Sequence, residues 1–235
     1  MPNRAVAVMA KRPQPGRTKT RLTPELSPEQ AATVYECFLL DTVERLAGRN
    51  DCQVVVAIDE PGSAEYFAAA MPGVPRVVQR GASLGERLDS VLTELIGTYD
   101  QAFAINSDSP DLPEGHLTAA FDALSSPQTD LVLGPTDDGS YWLIGWKQRW
   151  STVVTDVTMS TPSVLTDTLA EADASGATVS LAPTWHDVDS AQDLFRFVAD
   201  IDRAVTPRCA ALLCPPSIPR LTSPPLLPRL TCPPS

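Results

Sequence analysis

Histidine is almost missing from this 235-residue chain: only His116 and His186 are present. Neither stands at zinc-ligand spacing from a cysteine, so a zinc centre is not expected. The five cysteines, Cys37, Cys52, Cys209, Cys214 and Cys232, are odd in number and form no paired framework, which points to free thiols rather than a disulfide scaffold. Basic residues are scarce, 18 against 29 acidic, and the net charge of -11 argues against a nucleic-acid partner, whose phosphates demand a positive face. No apolar run is long enough to span a bilayer, and the apolar stretch at residues 5–10 is too short for a secretory core. The expectation is a soluble cytoplasmic protein with no membrane span, one that must meet any anionic ligand with local positive charge.

What the chain does hold is enough apolar sequence for a sizeable core. With 43% hydrophobic and 20% charged residues it suits one α/β domain with an appendage better than two domains. We divide it into a domain of residues 1–205 and a Pro-rich tail of residues 206–235. In the tail Pro207, Pro215, Pro216, Pro219 and their successors exclude regular helix, so it reads as disordered or polyproline-like. Its Pro-x-x-Pro spacings are the only feature suggesting a tail-mediated protein partner.

Apolar runs at residues 4–10, 52–58, 75–79, 101–106 and 130–134 alternate with helical patterns at 27–47, 64–70, 84–96 and 114–124. This predicts a mostly parallel sheet with covering helices. Asp138-Gly139 predicts a hairpin that adds an antiparallel strand. Residues 146–161 carry few signals; a helix over 162–175 closed by Gly176, a strand at 178–181 and a capped helix over 190–201 follow.

The stretch at residues 102–112 organises the functional reading. An apolar strand stops at Asn106-Ser107-Asp108-Ser109-Pro110-Asp111, the kind of strand end where open α/β sheets bind ligands. Asp108 there could hold a divalent cation against a phosphate, or could shape a turn; Asp111 reads as part of the turn. After the first strand, Lys11, Arg12, Arg17, Lys19 and Arg21 crowd into a loop with Pro13, Pro15 and Gly16. An anion site would use Gly16 for close backbone approach, Lys19 as a mobile point charge and Arg21 as a bidentate donor, whereas a solvated basic loop would need none of this. Gln79, Gly81, Gly85 and Arg87 surround a helix start on the same edge, and either contact a nucleotide or only set helix geometry. Asp138, Gly139 and Tyr141 are candidates for an acceptor pocket, with turn and core roles as the alternative. Asp189 reads locally as a negative charge favoured at a helix N-terminus.

Four segments in this order resemble the nucleotide-diphospho-sugar transferase (GT-A) superfamily, specifically the bacterial group with a DUF2064 domain read as glycosyltransferases. They are the Ala-Lys-x-Pro-x-Pro-Gly-Arg-x-Lys-Thr-Arg-Leu loop at 10–22, Leu84-Gly85-Glu86-Arg87, Ser107-Asp108-Ser109-Pro110-Asp111-Leu112, and Asp138-Gly139-Ser140-Tyr141-Trp142-Leu143-Ile144-Gly145. The resemblance covers residues 4–202. Lys19-Thr20-Arg21-Leu22 is also similar to guanylyltransferases that activate a phospho-acid, and residues 187–194 to the closing motif of sugar-activating nucleotidyltransferases. Ser140 stands where many members have glycine, and Ser190-Ala191 replaces Thr-Pro; neither change removes a carboxylate.

The resemblance implies a three-layer, Rossmann-like GT-A fold with Mg2+ or Mn2+ held by Asp108 and Asp189. It also implies a nucleotide or nucleotide-sugar substrate on Ala10, Lys11, Gly16, Arg17, Lys19, Arg21, Gln79, Gly81, Gly85, Arg87 and Ser107, with Lys19, Arg21 and Asp108 catalytic. The expected reaction is glycosyl transfer to a small-molecule acceptor. Nucleotidyl transfer to a phosphorylated small molecule uses the same apparatus, and a non-catalytic nucleotide-binding scaffold working through its tail is the answer from another class.

Overall fold

The computed structural model describes residues 3–214; the rest of the tail read as disordered lies outside the described residues. The chain runs β1 (Arg4–Ala10), α1 (Pro28–Ala47), β2 (Gln53–Ile58), α2 (Ala64–Ala70), β3 (Arg76–Val78), α3 (Leu84–Ile96), β4 (Gln101–Ile105) and α4 (Glu114–Ser125). It continues through β5 (Leu131–Pro135), β6 (Tyr141–Trp146), α5 (Thr152–Thr155), α6 (Val164–Ala174), β7 (Val179–Leu181), α7 (Ala191–Asp200) and α8 (Pro207–Leu213). Seven strands form one sheet in the order β3-β2-β1-β4-β6-β5-β7. All neighbours are parallel except β6, which runs antiparallel to both β4 and β5.

Strand β1 shows why the sheet is sandwiched. Val6, Val8 and Ala10 join Leu39 and Val43 of α1 and Phe121 of α4 on one face. Ala5 and Ala7 join Leu88 and Leu92 of α3 and Val153 of α5 on the other. A strand apolar on both faces needs helices on both faces, which gives the three-layer mixed α/β fold expected. Local signals fix the helix starts: Ser27, Ser83 and Ser190 each form a reciprocal capping box with the residue three positions on. Tyr141 and Trp142 pack on opposite faces of the sheet, as strand alternation requires.

One boundary is corrected. No helix was expected beyond residue 206, yet Pro207–Leu213 forms α8, with Pro207 in its first turn, where a missing N–H costs nothing. Cys209, Ala210 and Leu213 are buried with Phe38 of α1 and Phe197 of α7. The backbone N–H groups of Arg208 and Cys209 donate to the fully buried carboxylate of Asp41, at 3.2 and 3.0 Å. Among the described residues no helix is long and apolar enough to cross a membrane.

The parallel strands β1 and β4 are neighbours, and the connections leave them in opposite directions along the sheet: β1 leads to β2, β4 toward β5 and β6. Their carboxyl ends therefore open a crevice at a topological switch point.

Candidate functional site

The backbone leaving β1 is fastened to that leaving β4 by one side chain. Tyr35 of α1 accepts a hydrogen bond from the Lys11 N–H (3.0 Å), and its hydroxyl is bonded to Ser107 Oγ (3.0 Å). Burial, helped by the nearby Asp108 charge, pushes the Tyr35 phenol up to about 12. It therefore stays protonated and able to donate. From Lys11 the loop turns at Gly16 (φ +73°) and folds inward at Lys19, whose φ of 48° is left-handed. The following 3-10 turn, Thr20–Leu22, is anchored by fully buried Leu22.

This turn carries the Lys19 side chain inward until it is 4% exposed. Its ammonium lies 2.8 Å from Asp108 Oδ1 and 2.7 Å from Asp189 Oδ1, and donates to the Val188 carbonyl at 2.7 Å. Burial alone would lower the lysine pKa, but the two carboxylates outweigh it and the net shift is upward. Arg21 reaches Asp189 Oδ2 at 3.6 Å while remaining 79% exposed.

The late segment is tied to the strand end by Val188 N–H donating to the Asp108 carbonyl at 2.9 Å. Asp187 Oδ1 accepts from Asn106 Nδ2 (2.7 Å) and Ser109 Oγ (2.8 Å). Burial, then the charges of Asp108 and Asp189, push the Asp187 carboxyl up to about 6. Sequence reasoning singled out neither Asp187 nor Tyr35 as a site residue. Asp187 lies within the closing motif, but only its long-range partners reveal its role.

Two connected lobes open around this cluster, of about 480 and 530 Å3. They share Arg21, Leu84, Asn106, Asp108, Ser160 and Asp189. Among the described residues only Lys19 and Ser160 (φ 63°) are non-glycine residues with positive φ, and both line the cleft. Strained backbone of this kind persists where surrounding structure fixes it, and it clusters at functional sites.

The first lobe gathers most of the proposed nucleotide site: Ala10, Lys11, Arg17, Lys19, Arg21, Gln79, Arg87 and Ser107 line it, together with the expected metal ligands Asp108 and Asp189. Lys11, Arg17 and Arg87 carry no ion pair among the described residues. Gln79, which lines the first lobe, also has a structural task. Its amide nitrogen donates to the Ala10 (3.1 Å) and Ala57 (2.7 Å) carbonyls and so clamps the ends of β1 and β2 together.

Gly16, Gly81 and Gly85 line neither lobe. Gly16 is exposed in its turn. The Gly81 carbonyl accepts from Arg87 Nε at 3.2 Å. A Cβ on Gly85 would stand 1.9 Å from the Val154 carbonyl, so this glycine serves the close packing of α3 on α5.

Asp138 and Tyr141, of the expected acceptor group, line the second lobe; Gly139 does not. Gly139 has φ +87°, and a Cβ there would meet the Pro162 carbonyl at 2.1 Å, so it admits the 160–162 segment. Burial would raise the Asp138 pKa, but hydrogen bonds from Thr136 and Ser140 hold it low. Asp111 is bonded by Trp185 Nε1 (3.4 Å) and faces His186 (3.6 Å), as befits a turn residue.

Divalent-cation binding can be judged from the donors present. Asp108 and Asp189 are hard oxygen donors close enough to share one ammonium, a spacing that also suits a small divalent ion. Among the described residues no group of three or more His, Cys, Asp or Glu is placed to hold a metal. Two carboxylates with the remaining positions left to phosphate and water is the usual pattern for Mg2+. The residues fit such an ion, provided Lys19 yields part of its contact.

The model of a family described as an uncharacterized protein conserved in bacteria (DUF2064) matches residues 42–161. Among solved structures, a candidate nucleotide-diphospho-sugar transferase from Desulfovibrio desulfuricans G20 is similar at a TM-score of 0.82 and 26% identity, over 90% of this chain and 94% of that one. CMP:2-keto-3-deoxy-manno-octonic acid synthetase, solved with CTP, aligns at TM-score 0.54 and 12% identity, over 82% of this chain and 95% of that one. A cytidylyltransferase from Leptospira borgpetersenii aligns at 0.50 and 13%, over 83% and 84%. The latter two share the fold alone. No curated protein sequence matches the chain.

Proposed function

Because the chain belongs to the DUF2064 family, we propose that it is a transferase acting on a nucleotide-activated donor, moving a glycosyl group from a nucleotide-diphospho-sugar to a small acceptor. The observation that carries this reading is the junction of the two lobes, where Lys19, Arg21, Asp108 and Asp189 meet at the carboxyl ends of β1 and β4. A donor with its nucleotide in the first lobe and its sugar toward the second would place the bond to be broken at that junction.

The parts divide by chemistry. Lys11, Arg17 and Arg87, which form no ion pair among the described residues, serve as counter-charges for a diphosphate. Exposed Arg21 can move from Asp189 to a phosphate as negative charge develops on the leaving group. Lys19 fixes the spacing and orientation of Asp108 and Asp189. Those two carboxylates would hold Mg2+ or Mn2+, which when bound neutralises the diphosphate. No covalent nucleophile is required.

Nucleotidyl transfer is the second reading. The concentration of cations in the first lobe would also suit a triphosphate, and two of the folds matched above belong to enzymes named for cytidylyl transfer or CMP activation.

A thermal-shift panel of nucleoside triphosphates and nucleotide-diphospho-sugars with Mg2+, Mn2+ or chelator identifies the donor. Mass analysis then separates released nucleoside diphosphate, expected for glycosyl transfer, from released pyrophosphate. Metal-dependent stabilisation should vanish in Asp108→Ala; identical shifts with metal and with chelator in the parent protein would overturn the metal-dependent reading.

A further inference from the structure

The two lobes differ in charge although they share a junction. The first is lined by Lys11, Arg17, Lys19, Arg21 and Arg87, against Asp108 and Asp189 as its only carboxylates among the described residues. Among the described residues the second has Arg21 as its only cation, set against Asp108, Asp138, Asp187 and Asp189. Lys19 and Arg21 already pair with Asp108 and Asp189. Among the described residues the charges of Asp138 and Asp187 are therefore left without a cationic partner in the second lobe.

The rest of that lobe sets apolar side chains beside the uncharged polar groups of Asn106, Ser140, Ser160 and Thr161. Leu84 is 42% exposed, one of only two large hydrophobic side chains so exposed among the described residues, and it stands where the lobes meet. Leu88, Tyr141, Met159 and Val164 continue the wall. The Tyr141 hydroxyl donates to the Met159 sulfur at 3.6 Å, so its polar end is already engaged within the wall. Exposed apolar surface inside a concave site is a place for a ligand of matching character.

We propose that the second lobe takes an acceptor that is uncharged or cationic, with an apolar face and a hydroxyl or amine that receives the glycosyl group, and that it disfavours phosphorylated and carboxylate-bearing acceptors. This rests on the glycosyl-transfer reading above. The acceptor oxygen or nitrogen forms a bond to the anomeric carbon. The bond from that carbon to the diphosphate oxygen breaks, its electron pair leaving on the nucleoside diphosphate, and the acceptor proton passes to solvent water. An anionic acceptor would instead approach two carboxylates with no free cation to receive it, an arrangement that costs binding energy in a partly desolvated site.

The test uses three molecules that share a phenol ring and differ at one end: tyramine (cationic), tyrosol (neutral) and 4-hydroxyphenylacetate (anionic). The full chain is saturated with Mn2+ and whichever of UDP, GDP or CDP gives the largest thermal shift, and affinities are read by ligand-observed NMR. Tyramine and tyrosol should bind, with the anion weaker than tyramine by roughly tenfold or more at low salt. Asp138→Asn and Asp187→Asn should each narrow that gap several-fold; both retain a side-chain oxygen acceptor for the existing hydrogen bonds, and a result from either suffices if the other folds poorly. Equal or tighter binding of the anion, no discrimination among the three, or a gap untouched by the substitutions overturns the inference. Nucleotide binding with no charge preference removes this inference alone. A charge preference without nucleotide binding removes the donor reading and leaves the charge character of the lobe standing.

Discussion

Lys19 and Asp108 form an ion pair at 2.8 Å across the carboxyl edge of the sheet, and the same ammonium also holds Asp189, 170 residues away in sequence. The lysine thus occupies the space between two carboxylates that would otherwise repel each other. Lys19→Met removes that cation while keeping much of its apolar stem. Because the aspartates are 32% and 37% exposed, solvent relieves part of the penalty. A loss of about 1–3 kcal/mol is expected in urea unfolding, below the full cost of breaking a buried pair. Mn2+ affinity without nucleotide, measured by calorimetry, should rise by roughly tenfold as the ion replaces the ammonium. Unchanged or weaker Mn2+ binding would show that metal and lysine do not compete.

Asp187 gives the site a pH signature. Its carboxyl is raised to about 6, with burial the leading cause. In the unfolded chain an aspartate titrates near 3.9, so between about pH 4 and pH 6 the folded protein binds more protons than the unfolded one. Stability from this group is complete below that window and is lost as pH rises through it, by up to about 3 kcal/mol for a shift of this size. Asp187→Asn cannot ionise, so its stability should fall less than the parent's over this range in chelator-containing buffer. Parallel pH profiles for the two proteins would refute the assignment.

Gly85→Ala separates two explanations of a glycine that sequence reasoning placed in the nucleotide site. Its Cβ would lie 1.9 Å from the Val154 backbone oxygen, which cannot rotate away. Forcing α3 from α5 should cost about 3 kcal/mol, at the upper end of overpacking effects, and lower the melting temperature. Nucleotide affinity of the folded protein below its melting temperature should stay within a factor of a few. A large affinity loss without destabilisation would return Gly85 to the ligand site.

The contrast between Gly85 and Asp108 illustrates what could be read in advance. Strand β1, the Ser27 cap with Gln30, and the Asp138-Gly139 hairpin are local signals, carried by residues within a few positions of one another. The placement of Asp108 at a strand end could likewise be read from the apolar run that stops before it. Other features depend on contacts the sequence separates. Strand β6 inserts between β4 and β5, which no hairpin signal specifies. Gln79 turns its amide to Ala10 and Ala57 because those strands end beside it. Tyr35 sits at core spacing in α1, and only its hydroxyl's reach to Ser107 makes it part of the site.

Helix α8 shows how a distant carboxylate can override a local breaker signal, and it yields a further prediction. The prolines of the tail argue against helix, but Pro207 falls in the first helical turn, and Asp41 of α1 receives the Arg208 and Cys209 N–H groups. The Thr206 side chain gives no such cap; its hydroxyl donates to the Asp202 carbonyl instead. Asp41→Ala leaves those helix-end donors without the buried acceptor and removes a partner of the Arg208 guanidinium. A loss of about 2–3 kcal/mol is expected. Cys209, Ala210 and Leu213 should then leave their contact with α1 and α7 more readily, exposing Arg203 and Arg208 to trypsin. Faster cleavage at these arginines, with the metal-dependent nucleotide response retained, is the expected outcome. Unchanged cleavage and stability would mean that apolar packing alone holds α8 and that Asp41 is dispensable to it.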